Sequence, residues 1–251
     1  MDQHQREVPA SGLTLIAEAG TGHGGNFELA VQMVEAAARA GATHVKFQHV
    51  DPDVINETIR DWYQKCYFRI PQLANLKAIA EGNGLKFLCT PQTWADFTDL
   101  ARIGVEEVKI SSDNIRNVML LTEVGKWDKT AYISTGQATQ EDLQQLYRLI
   151  RARNLRLMVC TSEYPCPPEN VNLRRLTANG QIKGFSDHTL GNTAALVAVG
   201  LGARIFEKHF AIPGCLGPDM AVSMDEAGLT AYFAALREAQ IMMGDGKWRA
   251  E

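Results

Sequence analysis

No run of 18 apolar residues occurs in the 251-residue chain, so no helix able to span a bilayer is expected. The N-terminal stretch Met1-Asp2-Gln3-His4-Gln5-Arg6-Glu7 is polar and lacks the apolar segment of a secretory signal. Cysteines number only five and show no framework spacing, which suits a reducing compartment, so a cytoplasmic location is expected. Cys89 and Cys160 end strand-like runs and read as small buried hydrophobes. Lys and Arg form no long run, and the net charge of -4 gives no reason to expect a nucleic-acid partner. No membrane partner is expected either. No internal repeat, linker or low-complexity tract interrupts the chain. The run Gly20-Thr21-Gly22-His23-Gly24-Gly25 has no Walker lysine and lacks the GxGxxG order, which argues against a nucleotide. Its glycines are expected to let a loop turn tightly beneath a substrate.

What is present is rhythm. Short apolar runs alternate with amphipathic segments eight times, at Leu13–Ala17, His44–Gln48, Lys86–Cys89, Glu107–Ile110, Thr130–Ser134, Arg156–Cys160, Ile182–Phe185 and Arg204–Lys208. The helical patterns include Phe27–Arg39, Gln72–Glu81, Thr139–Arg151, Leu190–Val199 and a closing Asp225–Met242. Such alternation predicts a parallel sheet with crossover helices. Eight units in 251 residues predict an α/β fold closed as a (β/α)8 TIM barrel, a fold that typically takes about 250 residues. The chain reads as one domain over 1–251, with a polar N-terminal extension over 1–12. Asn26 and Thr139 stand where helix N-caps belong. Gly41, Gly84, Gly104 and Gly202 stand where helices end. The piece Val50–Ile70 reads as irregular. Its Trp62, Tyr63, Tyr67 and Phe68 either fold over the barrel mouth or pack on the outer helices.

Catalytic groups of such barrels gather where strands end, because the βα loops there vary freely. His188 and His209 lie near the ends of the last two strands, 21 positions apart (209 minus 188), one strand–helix unit. Neighbouring strands would make their imidazoles converge, as two ligands of a divalent metal. Imidazole suits Mn, Fe, Co or Zn. Two His with a Glu or Asp and open positions would polarise a carbonyl, and Asp187 is expected to orient a ring. The other strand ends carry Glu18, Lys46, Gln48, Thr90, Lys109, Ser111, Ser112, Asn114, Ser134, Thr135, Thr161, Ser162, Tyr164, Ser186, Glu207 and, in the loop beyond, Asp219. Lysines with hydroxyls at one mouth form a trap for phosphate or carboxylate. The alternative is that Lys46 and Lys109 pair inside the barrel with Glu18 or Glu207. The ligand reading is favoured.

These residues carry a resemblance. The segments Ile16-Ala17-Glu18-Ala19-Gly20, Val45-Lys46-Phe47-Gln48, Thr90-Pro91, Val108-Lys109-Ile110 with Ser112, Ser134-Thr135-Gly136, Cys160-Thr161 with Tyr164-Pro165, Ser186-Asp187-His188-Thr189-Leu190, Glu207-Lys208-His209-Phe210 and Gly217-Pro218-Asp219 occur in fixed order. Together they resemble the N-acetylneuraminate (sialic acid) synthase family from Leu15 to Met224. The resemblance implies a transferase that condenses phosphoenolpyruvate with an open-chain sugar aldehyde, giving a 2-keto-3-deoxy sugar acid and releasing phosphate. It implies His188 and His209 as ligands of a divalent metal, Mn2+ first with Mg2+ or Co2+ as alternatives. Lys46, Thr90, Lys109, Ser112, Ser134 and Ser186 are implied as phosphoenolpyruvate binders, and Glu18, Gln48, Tyr164 and Asp219 as sugar-facing. Glu18, Lys46, Lys109, His188 and His209 form the expected catalytic set.

Four departures from the family pattern bear on the acceptor. The first loop reads Gly22-His23-Gly24-Gly25 rather than Asn-His-Glu-Gly. Asn114 replaces an acid, and Ser162 replaces an Asn. The family's antifreeze-like domain, which brings an arginine to the partner's mouth, lies outside the 251 residues. A retained donor and a changed acceptor, in specialised carbohydrate biosynthesis, is the expectation. Family barrels usually pair, so a homodimer is one expectation, with the oligomeric state left open. Two other readings stand beside this one: a metal-dependent pyruvate aldolase or lyase, and an inactive barrel serving as a binding or regulatory subunit.

Overall fold

The computed structural model describes residues 12–151, 153–178 and 180–247; the polar segment over 1–11 lies outside them. Eight parallel strands run β1 Thr14–Gly20, β2 His44–His49, β3 Lys86–Pro91, β4 Glu107–Ile110, β5 Thr130–Ser134, β6 Leu155–Val159, β7 Gly184–Asp187 and β8 Ile205–His209. Their hydrogen-bonded order is β3-β2-β1-β8-β7-β6-β5-β4, and the two end strands β3 and β4 lie side by side. The sheet therefore curls into the expected barrel. Its helices are α1 Phe27–Arg39, α2 Glu57–Cys66, α3 Ile70–Gly82, α4 Trp94–Arg102, α5 Val118–Lys126, α6 Gln140–Leu149, α7 Arg175–Ala178, α8 Thr193–Gly200 and α9 Glu226–Met242. No helix among the described residues is long and apolar enough to cross a membrane.

Strand periodicity decides where each side chain goes, because successive residues face opposite sides. Outward residues such as Leu15, Ala17, Val45, Phe47, Val108, Ile110, Phe185 and Phe206 join the helices in the main core. Helix α1 answers them with Leu29, Ala30, Met33, Val34, Ala36 and Ala37, all buried. This is the three-and-four spacing of a helix with one apolar face. Each large side chain so buried contributes roughly 1.5–3 kcal/mol. Inside the barrel, Ile16, Leu88, Tyr132, Met158 and Ile205 form a separate apolar plug. Asn26 and Thr139 cap α1 and α6 through their side chains. The four expected helix-end glycines all have positive φ.

One expectation fails. Within Val50–Ile70 the structure places a short 3-10 turn and the ten-residue helix α2. Asn56 starts it by accepting from the Thr58 amide, and Trp62 Nε1 ties it to Thr21 Oγ1 at 2.9 Å. Of the aromatics there, Tyr63 reaches the mouth, while Phe68 stacks on His23 and Tyr67 on His49. Both alternatives hold, for different residues.

Below the plug, at the entry ends of the strands, Glu107 gathers three donors. His44 Nε2 lies 2.6 Å away, Lys86 Nζ 2.8 Å and Tyr132 OH 3.2 Å. These partners come from β2, β3 and β5, so Glu107 fastens the seam where β4 meets β3. Burial alone would push the carboxyl's pKa up, but the bonds from His44 and Lys86 overcome it and bring it down to about 2. Because the folded pKa is depressed, the stabilisation is complete above the ordinary carboxyl range and is lost as pH falls towards about 2. Glu107→Ala leaves His44 and Tyr132 without their acceptor and is expected to cost about 2–4 kcal/mol. Urea unfolding at pH 7 measures the loss. Repeated at pH 3, the difference between wild type and variant should shrink.

Candidate active site

The exit ends of the strands open onto a cavity of about 420 Å³, within the usual range for small-molecule sites. Every expected site residue lines it: Glu18, Lys46, Gln48, Thr90, Lys109, Ser112, Ser134, Tyr164, Ser186, His188, His209 and Asp219. Register explains the convergence. Glu18 pairs with Lys46 on one side and His209 on the other, Gln48 with Thr90, and Ser186 with Glu207.

The floor is a buried ion cluster. Lys46 Nζ lies 3.0 Å from Glu18 Oε1, 3.2 Å from Thr90 Oγ1 and 3.7 Å from Glu207 Oε2. Lys109 Nζ donates to Glu207 Oε1 at 3.2 Å, and Ser186 Oγ donates to the same oxygen at 2.9 Å. The pairing of lysines with glutamates is therefore real, yet it does not close the network. Glu18 Oε2, Glu207 Oε2 and Ser111 Oγ are buried without a hydrogen-bond partner, and all three residues line the cavity. Buried polar atoms left open in this way mark a place for a ligand.

The two carboxylates are driven apart. Burial lifts Glu18 to about 7, with Lys46 opposing and Glu207 reinforcing the rise. Burial acts on Glu207 too, but Lys109 and Lys46 together bring it down to about 2. Burial lowers Lys109, whereas at Lys46 the carboxylates outweigh burial and raise it. Glu207 is thus a fixed anion and Glu18 a proton-exchanging one.

Above this floor stand the imidazoles, with ring centres 5.5 Å apart. Burial lowers both towards the neutral form, His209 the further, where the neighbouring His188 adds to the effect. His188 Nδ1 lies 2.7 Å from the Thr161 carbonyl. That acceptor requires the proton on Nδ1 and leaves the Nε2 lone pair for the cavity. Tyr164 stacks on His188 at 4.1 Å and meets His209 edge-on. Neutral nitrogens at this spacing fit two ligands of one cation at about 2.1 Å from each.

Several expectations are corrected. The anticipated third, carboxylate ligand is not in place: among the described residues no group of three His, Cys, Asp or Glu is arranged to hold a metal. Asp219 Oδ2 stands 3.6 Å from His209 Nδ1, and Glu207 is engaged by Lys109 and Ser186. Asp187 does not touch the His188 ring. It faces the helices, accepting from Tyr232 OH at 2.9 Å and from the Thr189 amide and hydroxyl. The glycines of the first loop divide: a Cβ on Gly25 (φ +85) would lie 2.1 Å from the Lys65 carbonyl oxygen of α2, whereas one on Gly20 (φ +54) would stand among Glu18, Asp219 and Gln48 at the cavity. His23 is buried against Phe68. Asn114 turns into the rim, bonded to Gln92 and Asn117, and Asp113 beside it lines the cavity instead. Glu207 was expected only as an alternative partner of Lys46 or Lys109, and it is that partner for both; its position two residues before His209 puts both on the inner face. Tyr63, from α2, and Gln92 and Gln137, from loops with no periodic signal, also line the mouth.

The model of the NeuB family matches residues 33–248. The N,N'-diacetyllegionaminic acid synthase of Campylobacter jejuni is 32% identical, the match covering 92% of this chain and 78% of that protein. A pseudaminic acid synthase of the same species is 29% identical over 93% of this chain and 75% of its own. Among solved structures, the N-acetylneuraminic acid (sialic acid) synthetase of Leptospira borgpetersenii in complex with citrate superposes with a TM-score of 0.89. It is 27% identical, with 96% of this chain and 88% of that chain covered.

The Glu18 carboxyl should titrate close to neutrality in the free protein. Difference infrared spectra between pH 5 and 9 should show a carboxyl band that is missing in Glu18→Gln. A wild-type spectrum with no such band would remove Glu18 as an exchangeable group.

Proposed function

The chain belongs to the NeuB family, and on that premise we propose that it condenses phosphoenolpyruvate with the open-chain aldehyde of a sugar. The product is a 2-keto-3-deoxy sugar acid, and phosphate is released. The observation that carries this reading is the meeting of two buried lysines and two neutral histidines in one cavity. An anion site and a carbonyl-activating site then face each other.

Lys46 and Lys109, with Thr90, Ser112, Ser134 and Ser186, hold the phosphate and carboxylate of the donor. In a cavity closed below by the apolar plug, such contacts act with little screening. Gln48, Tyr164 and Asp219 face the acceptor. His188 and His209 would hold a divalent cation, Mn2+ first with Mg2+ or Co2+ as alternatives, and when bound it supplies Lewis-acid polarisation of a carbonyl. With the aldehyde carbon set against C3 of the donor, the enol π pair forms the new carbon–carbon bond. Glu18, poised near neutrality, gives its proton to the former aldehyde oxygen. Water adds to C2 and returns a proton to Glu18, after which the C2–O bond to phosphate breaks, the C2 hydroxyl becoming the keto oxygen as its proton passes to the departing phosphate. The balance is donor, aldehyde and water in, keto acid and phosphate out. A group that both gives and takes a proton works best with its pKa near the working pH.

Relatives that make legionaminic and pseudaminic acids support a nonulosonic-type product and leave the acceptor sugar to experiment. We carry over as proposals a paired barrel, tested by sedimentation, and a cytoplasmic location, which the free, buried cysteines fit.

The test is a panel of aldoses and N-acyl hexosamines with phosphoenolpyruvate and Mn2+, followed by phosphate assay and mass spectrometry. Phosphate release with a product heavier by the pyruvate unit is expected. Product without phosphate from pyruvate would favour the aldolase reading, and Mn2+ and phosphoenolpyruvate both failing to raise the melting temperature would favour an inactive barrel. Lys109→Met should lower kcat/KM for phosphoenolpyruvate on the order of 10²-fold. His209→Ala should abolish metal-dependent turnover while the far-ultraviolet circular dichroism spectrum is retained; full activity there would remove the metal assignment.

A further inference from the structure

The β6 exit holds the group that sets the His188 ring, yet strand pairing does not hold that exit. The β5–β6 register stops at Ser134 with Met158, and the β6–β7 register stops at Val159 with Phe185. Cys160 and Thr161 follow; the Thr161 hydroxyl donates to the Asn170 carbonyl at 2.9 Å on the outer side, and the Thr161 carbonyl is the acceptor for His188 Nδ1 at 2.7 Å.

Arg175, at the start of α7, takes over where the ladders end. Its Nη2 donates to the Thr135 carbonyl at 2.5 Å and to Thr135 Oγ1 at 3.1 Å, and its Nη1 donates to the Cys160 carbonyl at 3.4 Å. The planar fork of a guanidinium spans two carbonyls on separate strands in a way an ammonium does not. The clamp closes tightly. A Cβ on Gly136 would lie 2.7 Å from Cys160 Sγ and 2.9 Å from Ser162 Oγ, so the two exits touch with no room for a side chain between them.

We propose that Arg175 is a positioning residue: by clamping the β5 and β6 exits it fixes the Thr161 carbonyl, and so presents Nε2 of His188 to the cavity. It is not among the residues that line the cavity. The orientation of the ring stands on the geometry alone; its consequence for metal uptake rests on the proposed function. Loss of an outer partner of this kind typically lowers metal affinity by about 10–100-fold.

The experiment uses the metal-free protein first. Long-range 1H–15N NMR at pH 7.5 should show wild-type His188 as a single Nδ1–H tautomer. Arg175→Lys, which keeps the charge and loses the fork, should show a mixture of tautomers, with the metal-free melting temperature little changed. Titration with Mn2+ should then give a dissociation constant raised about tenfold. An unchanged single tautomer in Arg175→Lys and Arg175→Met overturns the proposal, as does a lowered melting temperature with the tautomer intact. If the tautomers mix but wild type takes up no Mn2+, the positioning role stands and the metal-dependent reading of the site falls.

Discussion

Glu207 is the point on which the site turns. It stands at the centre of the barrel's upper layer, between Lys109 at 3.2 Å and Lys46 at 3.7 Å, with Ser186 on the same carboxylate. Two ammonium groups this deep would lose their charge without a counter-ion, because burial favours the neutral amine. A buried ion cluster is weak grounds for stability, since desolvation offsets most of its attraction. Its retention beneath an open cavity, above an apolar plug, is better explained by what it keeps charged and ready.

Much of this was legible before any coordinates. Eight apolar runs located eight strands, seven with both ends within about two residues and the first ending three residues early, because parallel strands buried on both faces leave a strong signal. The rim residues followed from where those strands end, and all twelve line one cavity. Helix α2 carries a helical pattern that the irregular reading missed: Ile59, Trp62, Tyr63 and Cys66 fall at i, i+3, i+4 and i+7, although Cys66 is its one fully buried residue and Trp62 holds it by a side-chain bond to the first loop. That bond joins residues 41 apart in sequence, and no local pattern announces it. The Asp187 error had a local remedy. Strand alternation puts Ser186 and His188 on one face and Asp187 on the other, so adjacency in sequence argued against contact with the ring. What replaces Asp187 is a backbone carbonyl, and backbone acceptors leave no trace in side-chain identity.

The same distinction separates the two halves of the site. The floor is built from strand residues at fixed register, where Lys46, Lys109, Ser186, Glu207 and His209 each follow from period two. The outer wall is built from the βα connections, with Tyr63 on α2 and Asp113, Gln137 and Tyr164 beyond the strand ends. Strands position groups rigidly and loops vary freely. A donor held at the floor and an acceptor held at the wall would therefore be constrained differently, the first by the barrel and the second by its loops. Relatives that differ in the nonulosonic acid they make while sharing this barrel fit that division.

Charge closes the argument. With both lysines protonated and both glutamates ionised, the floor is neutral, and an incoming phosphate and carboxylate would add only negative charge. Glu207 cannot relieve this, for two ammonium groups hold its pKa at about 2, whereas Glu18 sits at about 7 and can take up a proton. On the proposed function, an entering anion would thereby convert Glu18 from a competing carboxylate into a proton donor, with its Oε2 lacking a hydrogen-bond partner. Two carboxylates on one floor thus differ because of where the lysines stand: one is held ionised and the other lies where it can exchange a proton.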